Sequence, residues 1–135
     1  MAAFLVKSDP DTYGLADLER DGRTRWDGVK NPVAQKHLRS IARGDDVLVY
    51  HSGAEKAVVG LARAASAPYA DPGDPAGKLY VVDLQFVSRV RTPLALKEIR
   101  ADPATAQMEL CRMPRLSVMP VAPAALAAIR RHTGL

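Results

Sequence analysis

The chain has 135 residues, 47% apolar and 25% charged, which is the size and make-up of one globular unit spanning 1–135. No apolar run reaches the ~20 residues of a membrane-spanning helix, and the stretch Met1–Lys7 lacks the basic and long apolar regions of a signal peptide. One cysteine, Cys111, excludes an internal disulfide and a paired-cysteine metal site, so a reducing cytoplasm is the expected compartment.

Residues 2–7 read as a short apolar strand closed by the turn signal Ser8-Asp9-Pro10-Asp11. A short helix is expected over Tyr13–Arg20, with Gly14 as its cap and Gly22 as its stop. Trp26-Asp27-Gly28-Val29-Lys30-Asn31 then holds the only tryptophan, next to a carboxylate, a cation and an amide. Asn31-Pro32 has the chemistry of a helix start, because Asn caps orphan N–H groups and Pro at the first position lacks one. Such an end offers free donors and a partial positive charge to an anionic ligand. Trp26 itself reads either as a core filler or as a recognition platform.

A helix over 32–42 would bury Ala34, Leu38, Ile41 and Ala42, turn Lys36, Arg39 and Arg43 outward, and end at Gly44. Val47–Tyr50 is a continuous apolar strand, expected over 46–51 and central in its sheet. It is followed by His51-Ser52-Gly53 and a returning strand over 57–64. Gly60 inside that strand signals a bulge or a close backbone approach. Residues 68–77, rich in Pro and Gly, read as an exposed loop, and 79–90 as the longest strand, with Tyr80, Val82, Leu84 and Phe86 on one face. A short helix over Leu94–Arg100, a turn from Pro103 and a strand in 116–121 come next. The last helix starts at Pro123, buries Leu126 and Ile129 and stops at Gly134. About five strands without regular βαβ spacing predict an α+β domain on a curved or barrel-like sheet, not a doubly wound one.

The net charge of +4 is concentrated. Residues 20–43 hold seven cations, Arg20, Arg23, Arg25, Lys30, Lys36, Arg39 and Arg43, against Asp21 and Asp27 only. A basic surface around Trp26 favours a polyanion through counterion release, although a plain solvated face has the same composition. No phosphate loop, dinucleotide fingerprint, nucleophile elbow or metal-ligand motif is present, and no cofactor is expected. His37 and His132 read as surface residues. His51, at a strand end beside Ser52, fits a site or a satisfied structural histidine equally well. A small hydrolase built from His51, Ser52, Asp9 and Asp27 is the catalytic alternative, but no spacing assigns nucleophile, base and orienter. Cys111 has Arg112 beside it, which lowers a thiol pKa, yet sits near apolar Leu110 and Met113, where a packing role is commoner.

Four ordered stretches together resemble an EVE domain of the PUA-like superfamily. They are Lys7-Ser8-Asp9-Pro10, Trp26–Asn31, Tyr50-His51-Ser52 and Arg115-Leu116-Ser117-Val118-Met119-Pro120, supported by Asp11-Thr12-Tyr13 and Val59-Gly60. The resemblance implies a PUA-like β-barrel of five or more strands with flanking helices. It also implies a pocket for a modified nucleobase, chiefly modified cytosine flipped out of DNA, in a domain that reads rather than cuts; RNA is the alternative polymer. Carried over residue by residue, the pocket would comprise Lys7, Ser8, Trp26, Asp27, Asn31, Tyr50, His51, Ser52 and Ser117. The flanking phosphates would fall to Arg25, Lys30, Lys36, Arg39 and Arg115, and a separate effector protein is an expected type of partner. The chain departs from the family's usual pattern at Asp9 (for Glu), Lys30 (for Arg), Val33–His37 and Met119 (for Gln). The Lys30 change loses a bidentate fork. A flipped base needs a plane to stack on and groups for its edge. Trp26 or Tyr50 supplies the first, and Asp27, Asn31 and Ser8 the second.

Overall fold

The computed structural model describes residues 2–135. Its framework is a curled seven-stranded sheet: β1 (Ala3–Ser8), β2 (Arg23–Trp26), β3 (Asp46–His51), β4 (Ala57–Ala64), β5 (Tyr69–Ala70), β6 (Tyr80–Ala95) and β7 (Val118–Pro120). The order is β2-β6-β4-β3-β1-β7, with β5 paired to β6 off that path, so the sheet is a half-barrel. Among the described residues only β1 and β3 pair in parallel; the other ladders are antiparallel. A parallel pair requires a long crossover. Here the crossover carries helices α1 (Pro10–Tyr13), α2 (Leu15–Asp21) and α3 (Pro32–Arg39), with β2 between the last two. The Trp26 stretch therefore lies in the crossover.

The core follows from the apolar runs. Leu5 and Val6 of β1, Leu48 of β3, Val58 and Ala62 of β4 and Val82 and Leu84 of β6 are fully buried, with Leu15, Leu38 and Ile129 packed on them from helices. Each Val, Leu or Ile side chain among them contributes about 1.5–3 kcal/mol by leaving water. Gly60 is required by contact, since a Cβ there would stand 2.6 Å from both terminal carbons of Leu15. The β4 register also shifts between Val58 and Gly60, so the close approach and the bulge occur together.

Several expectations need correction. β2 is a strand not expected from the sequence: Arg-Thr-Arg-Trp is short and charged, as edge strands are. Tyr69–Ala70 pairs with Tyr80 and Val81, so the Pro/Gly-rich stretch is partly a hairpin arm. Its loop is closed by Asp74, which accepts from the Lys78 and Leu79 N–H groups at 2.8 Å each. The helix expected over Tyr13–Arg20 is α2, capped by Gly14 and stopped at Gly22 as expected, but a separate short α1 precedes it, capped by Asp9, which accepts from Asp11 N–H at 2.9 Å. α3 stops at Arg39, three residues short of the expected end, because Asp45 takes the Ala42 N–H in a separate turn. β6 runs on to Ala95, past its expected end at residue 90; α4 (Leu96–Ala101) is the short helix expected over Leu94–Arg100, and a short α5 (Glu109–Arg112) follows that was not expected. The last helix, α6 (Pro123–Thr133), ends at Gly134 as expected, but it buries Ala125, Ala128 and Ile129 while Leu126 is only half-buried. Burial raises the Cys111 thiol pKa and overrides nearby cationic charge, as befits a packing residue. Among the described residues no helix is long and apolar enough to cross a membrane.

Candidate functional site

β2 and β7 are the two ends of the strand order, and a cavity of about 570 Å³ is walled by β2 and by Ser117, the residue before β7. Its walls are Lys7 and Ser8 from the end of β1, Asp9, Thr12 and Tyr13 from α1 and its cap, Thr24, Arg25 and Trp26 from β2, the loop Asp27–Val29, and Ser117 just before β7. Five of the residues expected to form a pocket, Lys7, Ser8, Trp26, Asp27 and Ser117, thus surround one space.

Trp26 is 8% exposed and meets the Tyr13 ring edge-to-face, with centroids 6.4 Å apart and planes at 82°. It belongs to the core and lines the cavity, so its two readings are not exclusive. Gly28, at φ +76°, turns the loop directly after it. Asp27 is exposed and makes no hydrogen bond or ion pair among the described residues, although its charge reaches Arg25. Lys7 is half-buried, and that burial lowers its pKa. Its Nζ donates to the Pro114 carbonyl at 2.7 Å and stands 5.7 Å from the Tyr50 ring centroid. An ammonium has three donors, so two remain. The buried Ser8 hydroxyl donates to the Tyr13 carbonyl, which ties α1 to the end of β1. The site thus offers a carboxylate, an ammonium and an aromatic wall in one partly enclosed volume.

The family model for the EVE domain matches residues 2–132. The chain belongs to the EVE domain family. A Rhodopseudomonas palustris protein solved by NMR is 34% identical, with a TM-score of 0.94 over 99% of this chain and 94% of its own. Human thymocyte nuclear protein 1 is 28% identical over 87% of this chain and 68% of its own length. The crystal structure of human THYN1 protein in complex with 5-methylcytosine-containing DNA shares the fold, with a TM-score of 0.87 at 23% identity over 96% of this chain and 95% of its own.

In this EVE domain the other four expected pocket residues do not line the cavity. Asn31 is the N-cap of α3, its Oδ1 accepting from Val33 and Ala34 N–H at 2.9 and 3.1 Å. Those donors are thereby engaged, and the expected open anion site at this helix end is not there. Tyr50 is buried beneath Lys7. The His51 Nε2 accepts from Leu15 N–H at 2.9 Å, which places its proton on Nδ1, and Nδ1 donates to Glu55 at 2.7 Å. Ser52 binds the Ser8 carbonyl through its N–H at 2.9 Å and its hydroxyl at 3.3 Å. With Asp9 capping α1, three members of the hydrolase constellation, Asp9, His51 and Ser52, are held in structural bonds, and Asp27 bonds to none of them.

The cations also divide. Arg20 pairs with Asp17 and Asp21, and Arg23 with Asp83 at 2.9 Å, so two of the seven are neutralised locally. Arg25 is on the cavity wall, its pKa raised first by the Tyr69 hydroxyl and then by the carboxylates of Asp71 and Asp27. Lys30 and Lys36 are exposed, Arg39 lies 5.8 Å from the Tyr80 ring centroid, and Arg115 lines a second, neighbouring cavity with Asn31.

Gln35 is not among the residues expected at the site. It is buried, its Nε2 donating to Val29 and Tyr80 carbonyls at 2.7 and 3.0 Å while its Oε1 accepts from Tyr80 N–H at 2.9 Å. It fastens the Asp27–Asn31 loop to β6. The available signal was a polar residue between Ala34 and Leu38 on the buried face of α3.

Proposed function

We propose that this EVE domain is a non-catalytic reader of a modified nucleobase, a modified cytosine flipped out of DNA into the cavity beside Trp26. The observation that carries the reading is that unpaired Asp27 shares this cavity with Trp26 and with the two free donors of Lys7. A base inside a duplex cannot reach an enclosed site, so it must leave the stack and be met by a plane and by edge contacts. Cytosine presents an exocyclic amine, which a carboxylate accepts, and ring acceptors suited to an ammonium. Asp27 and Lys7 fill these roles, while Tyr13, Trp26 and Val29 supply the apolar wall against which a ring substituent is felt. The volume lies within the ~300–1,000 Å³ of small-molecule sites. Arg25, Lys30, Lys36, Arg39 and Arg115 hold phosphates, which positions the strand without specifying the base. The 5-methylcytosine-containing DNA bound by human THYN1 protein supports the same ligand class at the level of the shared fold.

The test is a binding titration with 5-methylcytosine and unmodified oligonucleotides, as DNA and as RNA, single- and double-stranded, at fixed salt. Tighter binding of modified DNA, with strands recovered intact after incubation with and without magnesium, is expected. Equal affinity for modified and unmodified strands overturns base reading, and a reaction product overturns the non-catalytic role. Selectivity confined to RNA assigns the same pocket to the other polymer.

A further inference from the structure

Beside the first cavity lies a second, of about 380 Å³, lined by Asn31, Val33, Met113, Pro114, Arg115 and Leu116. The two are consecutive along the same pair of segments. Asp27–Val29 and Ser117 wall the first, and Asn31 with Val33, facing residues 113–116, wall the second. The bond from Lys7 Nζ to the Pro114 carbonyl crosses the boundary, so one lysine touches both. The two cavities are thus neighbours, with the Lys7–Pro114 bond between them.

The second compartment differs in chemistry. Arg115 is its single charged lining group, and it contains no carboxylate. Asn31 has its Oδ1 engaged by two N–H groups, which leaves the carboxamide NH2 as its remaining polar function. The polar side chains there can therefore only donate. Val33 and Met113 are 41% and 42% exposed and are the exposed large hydrophobic side chains among the described residues. Single exposed apolar residues need no explanation, but here two share one small cavity and give it an apolar wall open to solvent.

We infer that this compartment is a subsite for the nucleotide adjoining the flipped base, its base or sugar covering Val33 and Met113 and its phosphate meeting Arg115. The inference rests on the base-reading function proposed above and adds to it that the domain senses a dinucleotide. Three features select this occupant. The compartment adjoins the first cavity along the same two segments, its only charge complements a phosphate, and its donor-only polar side chains favour a neighbour rich in acceptors. Because apolar contacts dominate, the preference among neighbouring bases is graded, as stacking contacts are.

The experiment uses Val33→Asp and Met113→Asp, which place a carboxylate in the compartment at exposed positions where folding is not at stake. Wild type and both variants are titrated with free 5-methyl-2′-deoxycytidine and with a short single-stranded DNA carrying one 5-methylcytosine. The same DNA with an abasic site on the 5′ or the 3′ side of the modified base completes the set. Expected is a loss of roughly tenfold in oligonucleotide affinity for each variant, with nucleoside affinity unchanged. In wild type, an abasic site on one side only should reproduce that loss. Variants that bind the oligonucleotide within about twofold of wild type overturn the subsite and leave the base-reading cavity intact; a protein partner covering this patch would give that result. Wild type that binds neither modified oligonucleotide nor nucleoside overturns both readings.

Discussion

β1 and β3 run parallel and finish side by side, Lys7 level with Tyr50 and Ser8 level with His51. In the sequence both ends look like sites, each a short apolar run closing on polar side chains. In the fold, α2 and Glu55 close the β3 end. Leu15 N–H takes one nitrogen of His51, Glu55 takes the other, and Ser52 is engaged by Ser8. The β1 end opens into the cavity, with Lys7 keeping two free donors beside an unpaired Asp27. Recognition requires polar groups that face open volume and still lack partners; polarity at a strand end is not enough. The difference can be broken or sharpened by substitution.

The largest effect is expected at Trp26, which serves both core and cavity. Trp26→Ala should lower stability by about 3–5 kcal/mol, read by urea denaturation, because it removes a buried indole. Loss of binding by that variant alone is therefore uninformative. Trp26→Phe, which keeps an aromatic plane, should fold and retain part of the selectivity. Next is Asp27→Ala. At an exposed, unpaired position it should change stability by no more than about 0.5 kcal/mol. Affinity for a modified strand should fall by about 1.5–3 kcal/mol, the range of a hydrogen bond to a charged group. Unchanged affinity would remove Asp27 from the site.

His51→Ala should do the reverse. It strips the Leu15 N–H of its acceptor and should destabilise by about 1–3 kcal/mol, with affinity of the folded protein near wild type. A selective loss of affinity without loss of stability would make His51 a ligand contact after all.

Lys7→Met addresses pH. Burial holds the folded-state pKa of Lys7 below its unfolded value, so its charged form opposes folding. That penalty is fully present below the folded pKa and fades as pH rises through it toward the unfolded one. The variant should accordingly match or exceed wild type in thermal stability at neutral pH. Its advantage should shrink through the alkaline range, while its affinity for the modified strand is lower throughout. The smallest effects belong to Lys36→Ala and Arg39→Ala. Each should weaken modified and unmodified strands alike and reduce the salt slope by about one. A change in selectivity at either position would move it from phosphate to base.

Much of this molecule is settled by short-range chemistry and is legible in the chain. β3 and β4 follow from apolar runs bounded by turns, with the expected limits 46–51 and 57–64. Asn31-Pro32 opens α3 and Gly134 closes α6 because cap geometry involves only neighbouring residues. Gly60 announced its close contact, though not that Leu15 makes it. The ordered motifs pointed to the EVE domain family. The tertiary structure alone decided which polar residues are free. His51 is occupied by Leu15, 36 residues away, Gln35 bridges to Tyr80 across 45, and Lys7 reaches Pro114 across 107. β2 likewise exists because β6 offers its edge to a charged tetrapeptide that has little strand character of its own. Periodicity and capping act within a turn or two of chain, whereas the engagement of a hydrogen-bonding group depends on distant segments brought beside it. The sequence could therefore name candidates such as Lys7, Asp27 and His51, and only the packed fold could divide them into those facing the cavity and those already engaged.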